Sequence, residues 1–230
     1  FLKKYILASA YYPAFNRPKI EGKSFIDGGM YDNCPINLLV RKGYNNIIVV
    51  STMSKMPKQE VIDKSINIKC IMPSVKLGNT LDMRNERVRF NLKLGYYDAT
   101  RFTDGLIGKK FYFKPFDETY MMNILENLRI DFFSKLSNIF SITGNKNTII
   151  KSFLNEGKKL LSLQNTGSIP NSFVSIIEAV ADENTIEKFE IYDIFDFIKS
   201  MKIKTNPNEK KGNCSSKVFS AIEVLINALN

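Results

Sequence analysis

The sequence predicts a mixed α/β chain: an α/β segment to about residue 116, then a mainly α-helical extension over 117–230. Three observations carry that reading. A stretch of helical character closes on Gly43 and is followed at once by NIIVVS, Asn46–Ser51, whose four consecutive apolar residues mark a strand buried on both faces. A second such run, Ile66 to Met72, ends at Pro73. Beyond residue 117 the pattern changes to apolar residues at three-to-four spacing, repeated in five successive stretches.

Taken in order, Ile6 to Ala10 reads as the end of a helix stopped before Pro13. PKIEGKSFID, Pro18–Asp27, reads as a short hairpin about Glu21–Gly22. Pro35 opens a helix, because a proline at the first helical position gives up no needed hydrogen bond, and Gly43 supplies a left-handed end. Leu81 to Ala99 reads as a further helix, weakened at Gly95, and Phe111 to Phe116 as a last strand. Helices are then expected over Tyr120–Phe140, Thr148–Leu163, Ser172–Ala181, Ile186–Lys202 and Ser215–Leu229. Their Phe, Ile and Leu stripes read as packing faces. Loops at 143–147, 165–171 and 205–214 separate them, and no internal repeat is visible.

Composition narrows the chemistry. The chain has no histidine, so no Ser-His-Asp, Cys-His or His-metal site can be assembled from it alone. Any nucleophilic chemistry here would need a carboxylate, lysine or tyrosine as its base. Cys34, Cys70 and Cys214 are scattered, with neither a disulfide framework nor metal-ligand spacing, and read as thiols in a reducing, cytoplasmic setting. No metal and no organic cofactor is expected.

The formal charge is +10, yet acidic residues gather over 178–196 and no recognition motif for nucleic acid appears, so no nucleic-acid partner is expected. A diffuse positive surface suits peripheral contact with an anionic membrane. No apolar run approaches the roughly 20 residues that span a bilayer. The chain starts FLKKYILASAYYPAF, without methionine, which reads as an internal cut in a longer protein.

The candidate site is GKSFIDGGMYDNCP, Gly22–Pro35. Asp-Gly-Gly is first of all a turn. Against that reading, Asp27 ends an extended run, where a scaffold holds a side chain firmly. Gly28 and Gly29 permit positive φ or a close approach, and Asn33 before Pro35 can bond local backbone and pin the loop. Phe25, Ile26, Met30 and Tyr31 are core residues or a source of desolvation around Asp27. Asp32 is a cap or a solvated residue. Lys109 and Lys110, beside Phe111 and Phe113, form either an exposed turn or an interfacial segment.

Five ordered segments carry a family resemblance. ASAYYPAF (Ala8–Phe15), GKSFIDGGMYDNCP, RKGYNNIIVVST (Arg41–Thr52), MPSVKLGNTLD (Met72–Asp82) and LGYYDA (Leu94–Ala99) together resemble the C-terminal half of a patatin-like phospholipase domain. The resemblance implies a three-layer α/β/α fold for 1–116 and a serine acyl hydrolase acting on phospholipid or other lipid esters through a Ser-Asp dyad. It places Asp27 as the dyad base within the motif Asp27-Gly28-Gly29, with Asn33 and Pro35 supporting the loop. The family's Gly-x-Ser-x-Gly elbow and glycine-rich oxyanion loop are absent from this chain. Both are expected upstream, which leaves the fragment alone inactive. A non-catalytic lipid- or protein-binding member of the same fold is the alternative.

Overall fold

The computed structural model describes residues 2–11, 19–53, 61–79, 82–164, 167–203 and 214–230. Pro13, Pro18, Leu81 and all but the last residue of the 205–214 loop lie outside them. The chain forms two compact units, Phe1–Gly78 and Asn79–Asn230. The change of sequence character near residue 117 therefore falls inside the second unit. The chain is mixed α/β and predominantly helical among the described residues.

The first unit begins with α1 (Leu2–Ala8). Ile20 and Lys23 exchange both backbone bonds at 3.0 Å around Glu21 and Gly22, whose φ values of 50° and 74° make a two-residue hairpin turn. Among the described residues a single bridge forms there, in place of two paired runs. Pro35 precedes α2 (Ile36–Arg41) as its cap rather than as its first residue, and Gly43 takes φ 86° just beyond it. β1 (Asn46–Val50) pairs in parallel with β2 (Asn67–Ile71), Val49 opposite Cys70. β1 is not buried on both faces as its apolar run suggests. Ile47 and Val49 pack with Ile36, whereas Ile48 is 62% and Val50 74% exposed. The reason is that α2 covers one face, and no described element covers the other.

In the second unit α3 (Asn85–Asp104) is a 20-residue helix running through Gly95 to a left-handed Gly105. β3 (Tyr112–Phe113) is shorter than the 111–116 run predicts, since its only ladder partner in the described chain is a two-residue strand, β4 (Ile191–Tyr192). Between them lie α4 (Glu118–Glu126), α5 (Ile130–Phe140), α6 (Lys146–Leu160) and α7 (Ile169–Val180). α8 (Ile194–Ser200) and α9 (Cys214–Leu229) follow β4. α5 packs on α9 and α6, α6 on α7, and α8 on α9. Their inner faces merge into one core through Leu136, Ile150, Phe173, Ile177, Phe197 and Ile222.

Two buried carboxylates brace this unit. Glu178 accepts hydrogen bonds from the backbone N–H groups of Lys109, Lys110 and Phe111 at 2.8–3.0 Å. Gly108, at φ 98°, makes room for it: a Cβ there would lie 2.7 Å from the Phe111 carbonyl oxygen and 2.9 Å from Glu178 Oε1. Asp98 accepts from Arg101 Nη1 at 3.0 Å and from the Tyr112 hydroxyl at 3.1 Å. The Arg101 guanidinium lies 4.2 Å from the Tyr112 ring centroid.

Candidate functional site

Residues 24–27 lead into Asp27 without forming a strand among the described residues. The run is stitched instead to the end of α1: Asp27 N–H donates to the Tyr11 carbonyl at 3.0 Å, and Gly28 N–H to that of Ser9 at 3.2 Å. Asp27 then caps a single 3-10 turn, Gly28–Met30, with Oδ1 accepting from Gly29 N–H at 2.7 Å. A carboxylate on a backbone N–H at a helix start makes a short, charge-assisted bond. Asp27 is half-buried, and among the described residues its Oδ2 carries no hydrogen bond.

The two glycines act differently from the sequence expectation. Neither adopts positive φ; in this unit Gly22, Gly43 and Gly78 do. A 3-10 turn uses ordinary backbone angles, so Asp27-Gly28-Gly29 needs no left-handed residue. Close approach applies to Gly29 alone, where a Cβ would lie 3.1 Å from Asp27 Oδ1 and 3.2 Å from Asn33 Oδ1. Nothing lies within 4 Å of a Cβ at Gly28.

Loop pinning falls to Asp32 rather than to Asn33. Asp32 Oδ1 accepts from Cys34 N–H at 3.0 Å, an Asx turn that leads into Pro35. Asn33 is exposed, and its side-chain oxygen leans over Gly29. The apolar residues around Asp27 divide. Phe25 packs edge-on to Tyr5, at 5.4 Å, beside the Ala8–Tyr11–Ile20 cluster. Met30 and Tyr31 instead extend into solvent, Tyr31 at 97% exposure, and do not desolvate the carboxylate.

Beyond Gly28 the loop borders an open concavity of about 1160 Å³ at the carboxyl end of β1. Gly28, Asn33, Cys34, Arg41, Ser51 and Thr52 are among its walls, and Asp27 stands behind Gly28 rather than in the wall. Carboxyl ends of parallel strands are where open α/β sheets place ligands. Cys34 and Cys70 are free thiols beside the Ile36–Ile47–Val49 cluster. Burial pushes both thiols up, with Asp32 adding to the effect on Cys34 and Cys34 to that on Cys70, so both stay protonated at neutral pH. The described residues contain no group of three or more Cys, Asp or Glu side chains placed to hold a metal ion.

Lys109 and Lys110 lie on a braced turn and have no exposed aromatic ring beside them at Phe111 or Phe113. Their backbone is committed to Glu178, Lys110 Nζ pairs with Glu183 at 2.8 Å, and Phe111 and Phe113 are buried. Sequence reasoning passed over Glu178 and Asp98. The signal for Glu178 was present: a glutamate in SFVSIIEAV sits on a helix apolar on nearly every side, where burial demands a partner.

No family model, no curated protein and no solved structure matches the chain.

Proposed function

We propose that the chain is the dyad-aspartate half of a lipid acyl hydrolase built on a patatin-like three-layer α/β/α domain. Asp27 is the general base, and the nucleophilic serine is carried by a segment outside this sequence. The observation that supports this is the Asp27 carboxylate itself: Oδ1 anchored on Gly29 N–H at 2.7 Å and Oδ2 left open, one residue from a concavity at a strand's carboxyl end. A base must be held rigidly and still have an oxygen within about 2.6–3.2 Å of the proton it takes. Asp27 Oδ2 accepts the serine proton as the hydroxyl oxygen attacks the ester carbonyl. The alcohol then departs with that proton, leaving an acyl-serine. Water, deprotonated by the same carboxylate, releases the fatty acid. The substrate is a phospholipid or other lipid ester, met at an anionic membrane surface.

A second reading rests on the same bond. A carboxylate capping its own turn is what a purely structural Asp27 would also do, in a non-catalytic lipid- or protein-binding member of the fold. Asp27→Asn in the intact protein separates them. Asparagine retains the cap, so hydrogen-exchange protection of the Gly28–Met30 turn holds in both cases. A lost base costs about 10²–10⁴-fold in ester hydrolysis, and retention of the parental rate would make Asp27 a turn residue.

A further inference from the structure

α3 is amphipathic towards solvent as well as towards the core. Leu94 and Asp98 hold its buried side. On the opposite side Val88, Leu92 and Tyr96 recur four residues apart and form an outward stripe, with Leu92 69% and Tyr96 68% exposed. At about 100° per residue the stripe covers roughly 80° of the helix circumference. Arg89 and Lys93, both exposed, follow along one edge. The exposed carboxylates of the helix, Glu86 and Asp104, fall together a further 80° or so beyond Tyr96, past the two cations. From Asp82 to Lys93 the segment carries Arg84, Arg87, Arg89 and Lys93 against Asp82 and Glu86, in a chain of formal charge +10. Arg84 is paired with Asp82 at 2.6 Å, which leaves Arg89 and Lys93 as the cations at the edge of the stripe. An exposed apolar stripe on a folded unit marks something to be covered, and its basic rim selects an anionic cover.

We infer that α3 is a membrane-docking face that lies flat on an anionic lipid surface. Leu92 and Tyr96 enter the boundary between head groups and acyl chains, while Arg89 and Lys93 meet the lipid phosphates. A tyrosine at the end of such a stripe suits the head-group level, where its ring is apolar and its hydroxyl wet. The inference names a surface and an orientation, and it holds whether or not Asp27 is a catalyst.

The chain has no tryptophan, so Tyr96→Trp gives a single emitter on the stripe. The full chain carrying it is mixed with phosphatidylcholine vesicles, with and without phosphatidylglycerol. Emission should shift to the blue, and be quenched by brominated acyl chains, only on the anionic vesicles, and high salt should reverse it. Adding Arg89→Glu and Lys93→Glu should weaken binding by about tenfold or more. Lys135→Glu with Lys159→Glu, an equal charge change on α5 and α6, should weaken it far less. Leu92→Ser should abolish the blue shift with the circular dichroism spectrum unchanged. Equal losses from the two charge pairs would overturn the inference in favour of unspecific attraction. So would a blue shift already present without lipid: concentration dependence would assign the face to a second copy, and its absence to another part of the same chain.

Discussion

Among its described residues, the first unit buries apolar side chains in two small clusters, Ala8–Tyr11–Ile20 and Ile36–Ile47–Val49. The second gathers six helices and the β3–β4 pair around one continuous core. Among the described residues the first is built on a parallel strand pair with one face open, an arrangement that sheets normally complete with further strands and a second covering layer. The second closes even its irregular parts, using Glu178 to satisfy three consecutive backbone N–H groups of a loop. The candidate chemistry rides on the less buried scaffold and the cohesion sits in the other. Low local stability is common where a loop must admit a ligand.

The contrast breaks if the two units respond alike to cavities. Phe173, fully buried in α7, should cost about 3–5 kcal/mol when changed to alanine, whereas Ile47→Ala, backed by an open face, should cost about 2. Hydrogen exchange read separately on α7 and β1 is the measurement, because one global melt of two units is ill-defined. Protection lost to the same extent in both segments by either variant would mean a single cooperative body.

Glu178→Gln tests the brace more gently. Glutamine keeps one acceptor but turns an N–H₂ towards Lys109 N–H and removes the charge, at a cost of about 1–3 kcal/mol. Exchange should rise first at Lys109–Phe111. An unchanged loop would show that the core alone holds it.

The elements with strong punctuation were legible in the sequence. Pro35 and Gly43 bracket α2 to within a residue, and both apolar runs, 46–51 and 66–72, became β1 and β2. Punctuation that is chemical rather than conformational was missed. The expected helix over Tyr120–Phe140 breaks at Asn127–Arg129 without a glycine or proline. The stretch from Ile186 to Lys202 holds β4 first, then α8 behind Asp193, which caps Phe195 and Asp196 N–H. Burial on both faces was read from an apolar run, but a run reports hydrophobicity and not what covers it, which is why Ile48 and Val50 came out exposed. At the site, Asp27 could be singled out because a carboxylate after an extended run is legible. The backbone its glycines adopt was not, since Asp-Gly-Gly serves a 3-10 turn as well as a left-handed one.

That ambiguity gives the smallest test, and the one closest to the candidate base. Gly28 has an ordinary φ and open space where a Cβ would go, so Gly28→Ala should stabilise the first unit by about 0.4–1 kcal/mol through the unfolded chain alone. Gly29→Ala has the same entropic gain. It also brings a methyl to 3.1 Å from Asp27 Oδ1 and 3.2 Å from Asn33 Oδ1. Exposed Asn33 can swing away, but Asp27 Oδ1 is bonded to the Gly29 N–H beside that methyl and can yield only by loosening the cap. Gly29→Ala should therefore lose the gain and move the Asp27 carboxyl carbon resonance, which Gly28→Ala leaves in place. If both variants shift that resonance equally, the turn is not the one described and Asp27 is held by something else. If neither does, the cap is loose, and a base needs a firmer seat than this one.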